Sequence, residues 1–560
     1  MSFALSAGVT GLQAHQKMLD VAGNNLANVN TTAFKSSRIL FAELLSETIR
    51  KASQPTTNTG GTNPVQMGSG VGVSGISPNM SQGNIVNTGN PLDLAIEGEG
   101  YFVLSDGQQY VYSRAGAFAV DQDSVLVDPA TGYRVQRIGS VGEADGFQIA
   151  GVSDVHVPYD VAMAANPTSE VKVAGNLSSD AVLPTTQTNV LTSSEAFTTG
   201  GGTVADGTTE IDALDQFSGT IGTATITVSG YDHDGTALVD ATGLNITGTT
   251  TINDLITHIN SVLGTSGTAT FVNGKIRVTD TESGYSLSDV QLTFAETGAG
   301  DSNLEMSPYF EITTAGGEEV KNVNITVYDS QGGKHVLSGA FVRTNTANTW
   351  DMVLTSITGD IEELTMDNRR IRGIEFNAGD GSYAGLNSTI GDTANFIVTF
   401  AHDTANPQTI EIYMGAEGQL DGLTQFAGNS TAVAREQDGY GAGRLSTVSV
   451  NKEGILVGAF SNGVKKEIAT LQIALFQNTS GLENIGNSYY VPSANSGEAV
   501  ATQALTGGAG SVHGGSLEKS NADVAIEFIN LINAQNGFQA NARTIRVAND
   551  ILRELSTLIR

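Results

Sequence analysis

A seven-residue repeat over residues 521–560 constrains the fold of this chain most. Apolar residues recur there at that spacing, with no intervening Pro, at Val524, Leu531, Phe538, Ile545, Leu552 and Ile559. The repeat predicts one long helix with an apolar seam, capped by Ser520 with Asp523 three residues later. The positions four residues on are more polar: Phe528, Gln535, Ala542, Asn549 and Ser556. Because so thin a seam cannot hold an isolated helix in water, the helix needs a packing partner.

The start of the chain carries a matching pattern. Leucines recur at the same spacing, at Leu5, Leu12, Leu19 and Leu26. Because the residues between the two patterns are mostly strand- and turn-forming, we expect the helices to pack on each other and on copies of themselves in other subunits. The alternative is two helices packed on the core of a globular domain. Gln535 and Asn549 are either tolerated polar residues or amides that set the register between helices.

The middle of the chain has an all-β composition. Of 560 residues 67 are Gly, 6% are aromatic and 15% are charged, which suits many short strands joined by tight turns. The length predicts three or four domains. The net charge of −31 lies almost entirely between residues 51 and 516, which makes nucleic acid and anionic membranes poor partners.

The sequence shows no arrangement suited to catalysis or metal binding. It has no Cys, and its seven His are scattered singly, so neither a thiolate site nor a His-ligated site is expected. Residues 232–235 lack the later ligands of a calcium loop and predict a polar turn. Arg369, Arg370 and Arg372 predict a solvated strand edge or a contact with an acidic neighbour. We therefore expect no enzyme activity, no cofactor and no metal, and we expect neither a signal peptide nor membrane insertion.

Two motifs lie at the two ends of the chain. The first spans residues 24–38, with Asn25, Asn28 and Phe34, and the second spans residues 517–542. Both resemble the signatures of the bacterial axial flagellar proteins, the group of rod and hook proteins. That family usually has Gly where this chain has Ala33. Residues 87–118 look like the family's inner β domain, and residues 327–350 resemble an outer domain.

The resemblance implies a mainly β multidomain protein whose long helical termini pair as a coiled-coil-like bundle in a helical filament. It implies a structural subunit of the hook, the flexible tube that transmits torque from the rod to the filament. A distal rod subunit is the first alternative, although rod proteins lack the insert at 165–420, and a secreted adhesin or surface-layer protein is the second. The implied location is the extracellular flagellum, reached by export without a cleaved signal peptide. The implied partners are further copies, the distal rod protein, hook–filament junction proteins, the hook cap protein and the type III export apparatus.

The predicted domains follow one another in an order that nests the outer parts inside the inner ones. They are an axial helix (1–38), a linker or extended arm (39–82), an inner β domain (83–164 and 421–516), an outer β domain (165–194 and 306–420), an inserted outermost domain (195–305) and a second axial helix (517–560). The expected subunit contacts are the heptad residues of both helices with Phe528, Gln535, Asn549, Asn25, Asn28 and Phe34.

Local patterns predict individual elements inside these domains. Phe41, Leu44, Leu45 and Ile49 indicate a short helix at the start of the arm, and alternation at residues 92–96 indicates a half-buried strand. In the insert we expect a strand at 225–228, a helix at 251–263 ended by Gly264, and a hairpin turn at 273–274.

Overall fold

The computed structural model describes residues 3–159, 161–180, 187–387 and 393–558. Within these ranges the helices are α1 (Phe3–Ala27), α2 (Ile252–Leu263), α3 (Met366–Arg369) and α4 (Val524–Leu558). Short 3-10 turns lie at Ile211–Ala213 and Thr479–Gly481. Most of the remaining structure is strand, so the prediction of a mainly β chain with long helical ends is confirmed. The chain divides into a terminal unit (Met1–Met163 with Arg444–Arg560) and a middle unit (Ala164–Gly443).

The terminal unit contains two larger sheets built from both ends of the chain. The nine-stranded sheet contains Glu483–Gly486, Tyr489–Val491, Tyr110–Ser113, Tyr101–Ser105, Arg134–Val135, Leu126–Val127, Ala119–Val120, Ile473–Leu475 and Val500–Thr502. The five-stranded sheet contains Arg137–Ile138, Lys465–Leu471, Ile455–Phe460, Gly443–Val450 and Ala162–Met163. Two further pairs join Leu94–Glu97 to Ser511–Gly514 and Ile85–Asn87 to Ser516–Glu518. Pairing between residues this distant in sequence brings the two terminal motifs together.

The middle unit is built around two larger and two smaller sheets. The five-stranded antiparallel sheet contains Val320–Tyr328, Lys334–Arg343, Thr349–Ile357, Arg370–Phe376 and Tyr383–Leu386. The six-stranded mixed sheet contains Ile361–Glu363, Asn395–Phe400, Gln408–Tyr413, Glu170–Ser178, Leu423–Phe426 and Val433–Gln437. The smaller sheets contain Gly267–Val272, Lys275–Ser283, Thr188–Ser193 and Phe310–Thr314, and Leu244–Ile246, Ala224–Tyr231 and Asp289–Glu296. Two-stranded pairs join Thr198–Thr199 to Thr203–Val204 and Phe217–Ser218 to Asn303–Leu304.

The elements predicted for the insert are confirmed. α2 starts with a capping box, in which Thr251 and Asp254 each accept a hydrogen bond from the other's backbone N–H. It ends at Gly264, whose φ of +60° suits glycine. Asn273 and Gly274, both at positive φ, form the turn between two paired strands. The core of this region is continuous with residues of the five-stranded sheet, so these elements and that sheet bury one apolar cluster.

The arm is a β ribbon, and the predicted helix at 41–49 is wrong. Ser37–Glu43 pairs with Val71–Pro78, and Ser46–Arg50 pairs with Val65–Gly68. The apolar residues had a helical spacing, but the hydrogen bonds to a returning strand outweigh that weak local preference. The linker between the ribbon strands, residues 51–64, is almost wholly exposed.

Two local predictions in the terminal unit need correction. Leu94, Ala95 and Ile96 are all fully buried, so this strand is covered on both faces rather than half-buried. α4 is capped by Asp523, which accepts hydrogen bonds from the N–H groups of Ala525 (2.8 Å) and Ile526 (3.2 Å). Ser520 lies too early to reach these groups, and its Oγ accepts instead from the N–H of Ala522, in the loop before α4.

Candidate assembly interface

α1 and α4 pack side by side in one chain and run antiparallel. Gly8 lies against Ile545, Gly11 against Asn541, and the His15 ring against Gly537. A Cβ placed on Gly11 would lie 2.7 Å from Asn541 Oδ1, and one on Gly8 would lie 3.0 Å from Ile545 Cγ1. The two backbones therefore approach as closely as they do because glycine lies at the contact.

The contact positions of this pair are small or polar, and those on α4 recur every seven residues. On α4 the contacting line is Glu527, Ala534, Asn541 and Ala548. On α1 the buried residues are Gly8, Gly11, Ala14, Ala22 and Asn25. We call these residues the small-residue seam. The apolar pattern of the sequence did not predict this contact line, because its members are small or polar. Their spacing of seven residues, at 527, 534, 541 and 548, is nevertheless visible in the sequence.

The predicted heptad residues flank this seam rather than form it. On α1 all four leucines, Leu5, Leu12, Leu19 and Leu26, are half-buried. On α4 three are half-buried, namely Leu531, Phe538 and Ile545, and Val524 and Leu552 are exposed. Ile559 lies outside the described residues. Of the other predicted contacts, Asn25 is buried, Asn28 and Phe34 are half-buried, and Phe528, Gln535 and Asn549 are exposed.

α4 exposes large apolar side chains in two patches, one towards each end of the helix. The first patch contains Val524, Ile526, Phe528, Ile529 and Ile532, and the second contains Val547, Ile551, Leu552 and Leu555. A groove of about 560 Å³ lies beside the first patch, lined by Met18, Ile39 and Ile526 among others. Contiguous exposed apolar surface of this kind marks an interaction site.

The arm carries a second set of uncovered apolar residues. Leu40, Phe41 and Ile76 are exposed near its base, and Ile49, Val65 and Met67 are exposed in the outer hairpin. Leu45, between them, is 86% exposed. A two-stranded hairpin is at best marginally stable alone, so this ribbon requires a surface to cover it.

A buried polar cluster joins the two terminal motifs where the helices meet the β body. Asn25 Nδ2 donates to Ser37 O (2.7 Å) and to Glu527 Oε1 (3.0 Å), and Asn25 Oδ1 accepts from Ser37 N (2.9 Å). Asn521 Oδ1 accepts from Ser36 N (2.7 Å). Lys35 Nζ donates to Glu518 Oε1 (2.7 Å). We call Asn25, Lys35, Glu518, Asn521 and Glu527 the root cluster.

The root cluster is electrostatically costly to open. Glu518 is 1% exposed and lies between the cations of Lys35 and Arg114, the latter at 3.7 Å. Burial lowers the pKa of Lys35 more than the facing Glu518 carboxylate raises it. Removing one member of such a buried group leaves an uncompensated charge. Both motifs are visible in the sequence, but no sequence pattern indicates that Lys35 pairs with Glu518.

Ala33, the departure from the family motif, occupies the conformation that favours glycine. Its φ is +56° and its side chain is fully buried. Its N–H donates to Glu518 O at 2.8 Å. The turn geometry is therefore kept although the residue differs, at a strain of about 1–2 kcal/mol.

The polar turn at residues 232–235 and the arginines near residue 370 make structural contacts in the described part of the chain. No group of three or more metal-ligating side chains occurs among the described residues. Asp232 accepts hydrogen bonds from the backbone of its own turn. Arg369 is fully buried, with its guanidinium 3.0 Å from Asp289, so the contact with an acidic neighbour is found and the solvated edge is not. None of the described helices is long and apolar enough to cross a membrane.

Four family models match the chain in order along it. They are Flagella basal body rod protein (residues 5–35), Flagellar hook protein FlgE/F/G D1 domain (95–178), Flagellar basal body protein FlaE D2 domain (301–440) and Flagellar basal body rod FlgEFG protein C-terminal (513–558). The first and last cover most of the two paired helices and all five residues of the root cluster.

Full-length relatives carry one name. Flagellar hook protein FlgE of Treponema pallidum is 30% identical to this chain over 563 residues, and that of Borreliella burgdorferi is 29% identical over 576. Both alignments cover 100% of each chain. Flagellar hook protein FlgE of Escherichia coli is 27% identical, covering 99% of this chain and 100% of the relative. The crystal structure of Helicobacter pylori flagellar hook protein FlgE2 matches with a TM-score of 0.36 and 16% identity, over 72% of this chain and 93% of that one.

These matches run through the whole middle unit, so neither the distal rod subunit nor the adhesin is favoured. The structure places a long helix at each end of the chain, where the two basal body rod models match. This chain therefore belongs to the flagellar hook protein family and is a structural subunit of the bacterial flagellar hook, not an enzyme.

Proposed function

We propose that this subunit builds the hook by packing its α1–α4 pair against those of neighbouring copies in a coiled-coil-like bundle. The observation that carries the proposal is the two exposed apolar patches on α4, at residues 524–532 and 547–555. The small-residue seam buries few of the large apolar side chains of either helix, and the residues of the two patches remain exposed. Helix pairs whose large apolar residues point outward are suited to a bundle of several pairs.

Packing of this kind extends into a tube when one surface of a copy binds a different surface of the next. A heterologous contact repeated by a rotation that does not close generates a helical filament. The flanking leucines Leu5, Leu12, Leu19 and Leu26 supply a second surface on α1 that remains only half-buried. In this scheme the predicted contacts that are exposed in the single chain, Gln535 and Asn549 among them, lie between copies.

The arm covers its apolar side chains on neighbouring copies. Several of its apolar residues, among them Leu45, Ile49 and Met67, are exposed in the described part of the single chain. Burying about 25 cal/mol per Å² of such surface stabilises the assembled state relative to the free subunit. The arm thus ties copies together along the tube.

The middle unit makes the weaker contacts that a bending joint needs. Residues 164–443 contain 35 acidic and 10 basic residues, a net charge of −25. Like charges on neighbouring copies keep these units from adhering strongly, so they exchange contacts at small cost as the tube bends.

Family membership supports the remaining parts of the proposal. At the ends of the tube the partners are the distal rod protein, the hook–filament junction proteins and the hook cap protein. The subunit reaches the hook through the flagellar type III export apparatus, without a cleaved signal peptide.

Charge substitutions in the two patches test the packing scheme. Ile529→Asp and Ile551→Asp place a carboxylate in each patch, and Gln539→Asp places the same charge on the exposed polar stretch between them. Purified subunits are assembled in vitro and examined by electron microscopy. We expect tubes from the unmodified chain and from Gln539→Asp, and none from the patch variants. Normal tubes from both patch variants would refute the scheme.

A further inference from the structure

Two contacts in the small-residue seam restrict how far α4 can slide along α1: the His15 ring lies against Gly537, and Ile545 lies against Gly8. The contact at Gly11 does not distinguish one register from the next. A shift by one heptad would replace Asn541 there with Ala534 or Ala548, which are smaller. Buried polar groups can select one register in such a pair, because their hydrogen bonds are satisfied in only one register.

Gln535 and Asn549 do not meet that requirement within the chain. Both amides are exposed, so water satisfies them equally well in any register. Asn541 lies in the seam, but its Nδ2 donates to Gly537 O of its own helix (2.9 Å). That bond moves with α4 and cannot report its position along α1.

The root cluster meets the requirement. Asn25 is anchored to its own motif by two hydrogen bonds with the Ser37 backbone, which leaves one Nδ2 proton aimed at α4. Glu527, itself buried, accepts that proton at 3.0 Å. The segment before α4 is held independently, because Asn521 accepts from Ser36 N and donates to Asn79 O (2.8 Å).

A slip of one heptad would break this arrangement completely. Seven helical residues span about 10 Å, so Glu527 would be carried out of reach of Asn25. The buried amide would then lose its partner, at a cost of about 1–3 kcal/mol. The polar contact therefore selects the register together with the contact of the His15 ring on Gly537.

We propose that the root cluster sets the register of α1 against α4, with Asn25 and Glu527 as the positioning residues. The inference rests on the proposed function, since it assigns the root cluster the task of placing the two apolar patches of α4 at fixed heights for neighbouring copies. A slipped pair would present both patches about 10 Å away from their counterparts.

Engineered disulfides measure the register directly, because the chain has no Cys of its own. His15→Cys with Gly537→Cys joins positions that face each other. His15→Cys with Asn530→Cys or with Thr544→Cys joins positions one heptad away in either direction, too far to bridge in the observed register. Each pair is oxidised in the full-length free subunit, and the intramolecular disulfide is quantified by mass spectrometry.

The perturbation is Asn25→Asp, which keeps the shape of the side chain but replaces its Nδ2 donor with an acceptor oxygen. That oxygen would face two other acceptors, Ser37 O and Glu527 Oε1. We expect only the 15–537 disulfide in the reference chain. In Asn25→Asp we expect its yield to fall at least threefold and a slipped disulfide to appear. Adding Glu527→Gln returns a donor opposite Asp and should restore the 15–537 disulfide.

Three results would overturn the proposal. They are slipped disulfides in the reference chain, an unchanged 15–537 yield in Asn25→Asp, and loss of all three disulfides while hydrogen exchange of the strands stays native. The last result would show that Asn25 holds the helices together without selecting their register. Because the disulfides are scored before assembly, this outcome is separable from the tube assay with Ile529→Asp.

Discussion

Replacing Gly11 with Ala should weaken the packing of α1 on α4, although Ala is the better helix former. The added Cβ would lie 2.7 Å from Oδ1 and 2.8 Å from Cγ of Asn541. Either the helices separate or the amide gives up its 2.9 Å hydrogen bond to Gly537 O. Overpacking of this kind costs about 1–3 kcal/mol, and the gain in helix propensity is about 1 kcal/mol. The expected net effect on the pair is a loss of up to about 2 kcal/mol.

Gly23 provides the matched control in the same helix. It is exposed, and an added Cβ would have no neighbour within 4 Å, so Gly23→Ala should stabilise α1 by about 1 kcal/mol. The measurement is hydrogen exchange of the α1 and α4 amides in the free subunit, which reports local opening free energies. Gly11→Ala with Asn541→Ala should recover most of the loss because the obstacle is removed. If Gly11→Ala slows amide exchange in α1 and α4 as much as Gly23→Ala does, the result would contradict the close approach of the two helices at Gly11.

Three further outcomes follow from other parts of the structure. Leu531→Asp or Phe538→Asp should abolish tube formation in electron micrographs while strand hydrogen exchange stays native; normal tubes would contradict this. Glu518→Ala should destabilise the terminal unit by about 3–5 kcal/mol in urea unfolding, because Lys35 and a second buried cation lose their counter-ion; a loss under 1 kcal/mol would argue against a paired cluster. Burial alone would raise the pKa of Asp240, but hydrogen bonds from the backbone and a neighbouring histidine lower it to about 2. Its contribution to stability is therefore present above about pH 4 and lost as the pH falls toward 2, and Asp240→Asn should flatten that part of the acid-unfolding curve of the middle unit.

Elements with strong local signals could be predicted from sequence with few errors. α2 begins and ends at the expected residues because Thr251 and Gly264 act on the chain within one turn. The hairpin at Asn273 likewise depends on backbone preferences of two adjacent residues. The arm was mispredicted because a helical spacing at residues 41–49 competes with a strand partner some thirty residues away, and the partner wins.

The amino-acid sequence alone indicated that both ends are helical, that the body is β, that the middle of the chain is acidic and that no cysteine chemistry exists. Each of these is a matter of composition or of spacing along the chain. Only the tertiary structure decided which faces meet. The helices approach on Gly11, Gly537 and their small neighbours because close backbone contact needs small residues, and the large apolar residues of the heptads are left at the flanks. Tertiary structure also brought Lys35 to Glu518 and Asn25 to Glu527. A contact between side chains about five hundred residues apart in sequence depends on the path of the whole chain.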